Sequence, residues 1–234
     1  MDMRKQAAED LERILGFRHS NGGDFWATPD GKLGIEKPIS TLTALLVMGE
    51  LQVPGSHEAL RGAAQLVLDA CGPDGRVRIA PKGSVYPCHT ALAAAALCRN
   101  GYAEDGRVQA MLDHLLAHRY EDGGWRCNKF SYGRGPETEH SNPGVTLFMQ
   151  VEYPFLRYNL FQYVHVLSYY PKARKDRRFQ EALAALAGKL DSQGRMVVER
   201  PSRKLADLWI CRKGEPSEAA TRRYREIVAR MEGR

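Results

Sequence analysis

A chain of 234 residues, 43% hydrophobic and 26% charged, with a formal net charge of +6 and a pI near 9.1, is long enough for one large domain and too apolar for wholesale disorder. No apolar run approaches the roughly 20 residues of a membrane span, the longest being Ala91 to Leu97; Lys and Arg are scattered rather than gathered, which argues against nucleic acid as a partner. The five cysteines, Cys71, Cys88, Cys98, Cys127 and Cys211, are odd in number and have no CxxC spacing, which argues against a disulfide framework and fits free or metal-bound thiols in a reducing cytoplasm.

In chain order, the first helix is expected over Met3 to Leu15, where charge in every turn and the lack of a small-residue cleavage site rule out a secretory signal. Asn21-Gly22-Gly23-Asp24-Phe25-Trp26 follows and reads as the end of a degenerate unit whose fuller copies lie downstream. Three segments share one register: Leu60 to Ala64 leads to Asp74-Gly75-Arg76-Val77, Val108 to Leu112 leads to Asp122-Gly123-Gly124-Trp125, and Phe179 to Leu183 leads to Gln193-Gly194-Arg195-Met196, each after fourteen residues. Each carries one apolar stripe at helical spacing: Leu60, Ala63, Ala64, Val67, Leu68; then Val108, Met111, Leu112, Leu115, Leu116; then Phe179, Ala182, Leu183, Leu186, Ala187. The register shifts by 48 residues between the first two and by 71 between the last two, the extra length falling around Arg126 to Tyr158.

Upstream of the first two, Thr43-Ala44-Leu45 and Thr90-Ala91-Leu92 open helices that are apolar nearly all round. A helix of that kind must be covered on every side, whereas a one-striped helix can face water. The sequence therefore predicts an all-α fold of helix hairpins over residues 1–234, the oilier helix inside. Concentric rings satisfy this burial, and so does a superhelical solenoid. A last helix is expected over Ser217 to Met231, after Pro216, while Arg203 to Lys213 matches no element.

The run Tyr86-Pro87-Cys88-His89-Thr90-Ala91-Leu92, then Asn100-Gly101-Tyr102, Asp105-Gly106-Arg107-Val108-Gln109 and Asp122-Gly123-Gly124-Trp125-Arg126-Cys127 resembles the repeat of the prenyltransferase and squalene cyclase superfamily. Its DGGW turn is similar to that superfamily's QW motif, with Arg119 where Gln is usual. The C-terminal part, from Gly194-Arg195 to Gly214-Glu215-Pro216-Ser217, resembles small bacterial prenyltransferase-like proteins of unassigned function. The resemblance implies an α/α toroid, complete or incomplete, with a central apolar cavity for an isoprenoid or other apolar molecule. About four hairpins stand here against the superfamily's usual six. It also implies a structural role for Trp125, Gly123 and Gly124. In protein prenyltransferase β subunits a Cys and an Asp near one inner-helix start join a His at the next to hold zinc. Cys88 and His140 match that Cys and His, but Tyr86 stands where the Asp would be. Zinc needs about three protein ligands and an open position, so Cys127, His89 or Glu139 would have to complete a set built on Cys88 and His140. Lanthionine cyclases use an adjacent Cys-His pair with a distant Cys, which Cys88, His89 and Cys127 imitate, though Thr90 interrupts their signature. Neither the DxDD motif of squalene-hopene-type cyclases nor the DDxxD cluster of ionising terpene synthases occurs.

Eight aromatic residues crowd into Phe148 to Tyr170. They read either as cavity lining or as packed core, with Tyr158, Phe161, His165 and, at an inner-helix start, His89 as the cavity candidates. Arg78, Lys82 and Arg134 are the cations suited to a departing diphosphate, or else a solvated basic surface. A second functional class remains open alongside ligand binding: a non-catalytic module whose stacked hairpins bind a protein, a peptide or a second copy.

Overall fold

The computed structural model describes residues 3–34, 38–83, 85–118, 148–156 and 159–233. Its regular structure is helical, and among the described residues β-pairing is confined to three isolated bridges. Contacts gather the chain into two compact units, a continuous one of Leu11–Thr138 and a discontinuous one of Met1–Asp10 with Glu139–Arg234. Helix α1 (Met3–Gly16) opens the chain and runs one residue past the span expected for it.

In the continuous unit, α2 (Thr41–Glu50) begins where the Ser40 hydroxyl accepts from the Thr43 N–H, the usual means of satisfying an orphan donor at a helix start. Eight of its ten residues are buried, as an all-apolar helix requires. It packs on α3 (Glu58–Asp69) and α4 (Pro87–Arg99). The α3 stripe of Leu60, Ala63, Ala64, Val67 and Leu68 is buried throughout, with Arg61, Gln65 and Asp69 in water. Pro87 starts α4 at the position where its missing N–H costs nothing. At the other end the Asn100 amide donates to the carbonyls of Ala96 and Leu45, at 2.8 and 3.0 Å, and so ties α4 to α2. The buried Glu50 carboxylate pairs with Arg99 across the same seam. Helix α5 (Gly106–Ala117) packs on α4.

Two burial patterns depart from the sequence expectation. Cys88, Ala91 and Ala95 lie exposed along one stripe of α4; a methyl side chain gives up little by meeting water, so an alanine-rich helix need not be covered all round. In α5 only Val108 and Met111 are buried, and Leu116 is 65% exposed.

In the discontinuous unit, α6 (Leu160–Leu167) is capped by Asn159, whose side-chain carbonyl accepts from the Gln162 N–H at 3.0 Å. A short α7 (Pro171–Arg174) leads into α8 (Arg177–Ala187), which packs back on α6. Helix α9 (Glu218–Met231), capped by the Ser217 hydroxyl, also meets α6. The stretch from Arg203 to Lys213 holds two 3₁₀ turns, Arg203–Leu205 and Trp209–Cys211. The second is anchored by the buried carboxylate of Asp10, which accepts from the N–H groups of Trp209 and Ile210 at 2.7 and 2.9 Å. Burial pushes the Cys211 thiol up to about 12, as expected for a thiolate denied water.

The same hydrogen bonds occur in both units at the spacings read from the sequence. Asp105 caps α5 by accepting from the Arg107 N–H and also receives the Arg107 guanidinium, and Gln109 donates to the Ala103 carbonyl. Seventy-one residues on, Asp176, Arg178, Gln180 and Arg174 make the same set around α8. The glycine turns match likewise: Gly72 to Arg76, with a bridge from Cys71 to Val77, parallels Asp191 to Arg195, with a bridge from Leu190 to Met196. The large apolar residues that close these turns, Val77 and Met196, are fully buried, as is Trp26 after the first glycine turn.

Candidate functional site

In the continuous unit a cleft of about 910 Å³ opens between two turns of chain. One wall is Gly23 to Leu33, and the other runs from Leu66 past Cys71, Asp74, Arg76 and Arg78 to Val85. Phe25 sets the first wall. It and Trp26 both lie at positive φ, 47° and 61°, a conformation that non-glycine residues hold only when their surroundings impose it. The surroundings here are explicit. The Trp26 indole donates to the Ile14 carbonyl at 2.9 Å, the Thr41 hydroxyl donates to the Phe25 carbonyl at 2.8 Å, and Gly62 leaves room for the Phe25 ring where a Cβ would collide with it. Over the ring lies the Arg18 guanidinium, 4.2 Å from its centre, held by Asp24 and Glu58.

The acids of the cleft are each matched by a cation: Asp24 by Arg18, Asp69 by Arg107 and Asp74 by Arg76. The Arg18 guanidinium keeps the Asp24 carboxyl below its ordinary range, and Arg76 with its own N–H does the same for Asp74. Arg78 faces solvent and donates one bond, to the Gly83 carbonyl at 3.2 Å, out of the five donors a guanidinium carries. Lys82 stands exposed on the same loop.

The cleft wall is fastened to α4. The Val77 N–H donates to the buried Thr90 hydroxyl at 3.1 Å, so the segment carrying Arg76 and Arg78 is pinned to the first turn of the helix whose exposed stripe is Cys88, Ala91 and Ala95. Between them, His89 stacks edge-on against Tyr86, with ring centres 5.0 Å apart. Its Nδ1 is buried and has no hydrogen-bond partner. Burial holds this imidazole below its ordinary 6.5, because the charged form would lose its water. Arg78, Lys82, Cys88 and His89 thus all lie in one unit.

Phe161 and His165 lie in the other unit, on α6. Phe161 is fully buried against Tyr153 and Phe155, at 5.8 and 5.1 Å between ring centres, and the His165 ring lies 5.3 Å from both Phe155 and Tyr169. These rings pack on one another. Tyr158, Arg134, Cys127 and His140 fall outside the described residues, as do Trp125 and Glu139. Among the described residues no group of three or more His, Cys, Asp or Glu side chains is arranged to hold a metal ion. Cys88 and His89 are therefore the only zinc candidates whose positions are described, and two ligands fall short of a catalytic set.

Sequence reasoning found Arg78 and the α4 start but not the cleft. Its walls come from segments some 40 residues apart that read as plain turns; the one signal was Phe25-Trp26, two large rings directly after Gly22-Gly23. No family model matches this sequence, and no curated protein matches it.

Proposed function

We propose that this chain is a hairpin-repeat protein of the prenyltransferase and squalene cyclase kind, which binds an isoprenoid with its apolar chain along the open stripe of α4 and its anionic head at Arg78. The observation that carries the reading is the bond from Val77 to Thr90, because it joins a cationic wall to a smooth apolar helix face. An amphiphile with a charged head and an oily tail needs that combination. The matching bond sets 71 residues apart support the hairpin repeat, and with it the α/α toroid the resemblance implies. Alanines suit the role, since small side chains let a flat chain lie close to the helix.

The test is equilibrium binding of farnesyl diphosphate and of farnesol to the full chain, followed by changes in intrinsic fluorescence. Arg78→Gln is expected to weaken the diphosphate about tenfold, the usual effect of losing a charge-assisted hydrogen bond, and to leave farnesol unchanged. Ala95→Arg, which places a charge on the stripe, weakens both. Saturable binding of neither ligand by the unaltered protein would end the proposal, as would full affinity in the Ala95→Arg protein.

A further inference from the structure

We propose that the elbow between α6 and α8 is a docking surface for an anionic lipid bilayer, a surface separate from the cleft. Large apolar side chains exposed singly need no explanation, but a cluster of them marks an interaction surface. Tyr163, Val166, Tyr169 and Tyr170 are 39, 46, 53 and 58% exposed within eight residues. Tyr163, Val166 and Tyr170 recur at i, i+3 and i+7, which is one face of a helix. The backbone bonds from Tyr169 to Val166 and from Tyr170 to Leu167 carry the helical turn through to the last of them. Tyr169 is fixed in place while half exposed: the Arg230 guanidinium lies 3.9 Å from its ring centre and donates to its hydroxyl at 2.8 Å.

Cations border this strip. Lys172 and Lys175 are exposed on the elbow, and the side chains of Arg177 and Arg178 are 89 and 83% exposed at the start of α8. Lys172 follows Tyr170 by two residues and α8 packs back on α6, which brings the basic and aromatic parts together. The acids nearby are already engaged, Asp176 by Arg178, Glu181 by Arg177, and Glu226 by Arg223 and Arg230, so the lysines are the surplus charge. Tyrosine rings seat themselves at the headgroup level of a bilayer, and basic side chains meet anionic headgroups. Single-stranded nucleic acid fits less well, because Val166 at the centre of the strip offers no ring for a base to stack on. No helix among the described residues is long and apolar enough to cross a membrane, so the contact is peripheral.

The experiment is sedimentation of the full chain with phosphatidylcholine vesicles and with vesicles of seven parts phosphatidylcholine to three of phosphatidylglycerol, at low and at 0.5 M salt, with far-ultraviolet circular dichroism as the check on folding. Binding to the anionic vesicles alone, lost at high salt, is expected. The pair Lys172→Glu and Lys175→Glu should weaken it at least about tenfold, since one basic residue near such a surface contributes about fivefold. The pair Val166→Ser and Tyr170→Ser should weaken it several-fold with the charges intact. Failure to sediment with anionic vesicles at low salt overturns the proposal. So does a serine pair that binds as well as the unaltered chain, which would mean adsorption by charge alone, and so does a glutamate pair that loses affinity for oligo-dT but not for vesicles.

Discussion

Thr90 and Thr221 are fully buried hydroxyls, and each accepts the backbone N–H of the residue that closes a glycine turn, Val77 in one unit and Met196 in the other. In Thr90 that bond also positions the candidate site, next to a histidine with a buried ring nitrogen. The titration of His89 has a definite sign. Its folded pKa lies below the ordinary 6.5, so between the two values the unfolded chain binds the proton and the folded chain does not. Stability from this group is complete above about pH 6.5 and is lost as the pH falls through and below that value. His114, also lowered chiefly by burial, acts in the same direction. We expect the melting temperature to drop between pH 7.5 and 5.5 and the His89→Gln protein to show a shallower drop. An unchanged slope would mean that the His89 ring is solvated.

At the scale of an element, the two glycine turns share backbone bonds but not neighbours, and this makes them a controlled pair. Gly75 and Gly194 both have positive φ, 77° and 71°. A Cβ at Gly75 would run into the Ala110 carbonyl on α5, whereas one at Gly194 would meet nothing within 4 Å. Gly194→Ala should therefore cost only the left-handed backbone, about 1–2 kcal/mol. Gly75→Ala adds the collision, for about 2–5 kcal/mol in all. Chemical denaturation of the two variants measures the difference; equal losses would contradict the close approach of turn and helix. The turns also show what the sequence could and could not announce. Asp105, Asp176 and Ser217 stand one residue ahead of their helices and are readable as caps, because an acceptor side chain before an apolar period has a local meaning. The stripe of α4 open to water is not readable: Ala91, Ala93, Ala94, Ala95 and Ala96 are identical residues, so periodicity gives the helix but no direction. The cleft was hidden for a similar reason, since Arg18, Asp24 and Glu58 meet across 40 residues of chain, and nothing in either segment names the other. The 3₁₀ turns at Arg203–Leu205 and Trp209–Cys211 have too short a period to stand out, and the carboxylate that anchors the second, Asp10, lies some 200 residues away.

For the whole molecule, that long-range contact matters most. Asp10 is 1% exposed, and Glu9 beside it accepts from the Trp209 indole at 2.7 Å. Asp10→Ala would leave the buried Ile210 N–H and the part-buried Trp209 N–H without their acceptor, a loss of about 3 kcal/mol. Amide hydrogen exchange should locate it: protection falls about a hundredfold across Trp209 to Ile227, while Leu42 to Leu68 in the continuous unit keep theirs. A uniform loss across both would show that the two units melt as one. The same bonds bear on how the protein is made. Synthesis runs from the N-terminus, and domains tend to fold as units while the ribosome is still at work. Helices α2 to α5 find packing partners in one another as soon as they emerge. The first turns of α1 do not: they must wait, with a pair of carboxylates still in water, until Trp209 and Ile210 have been added and have left the ribosome.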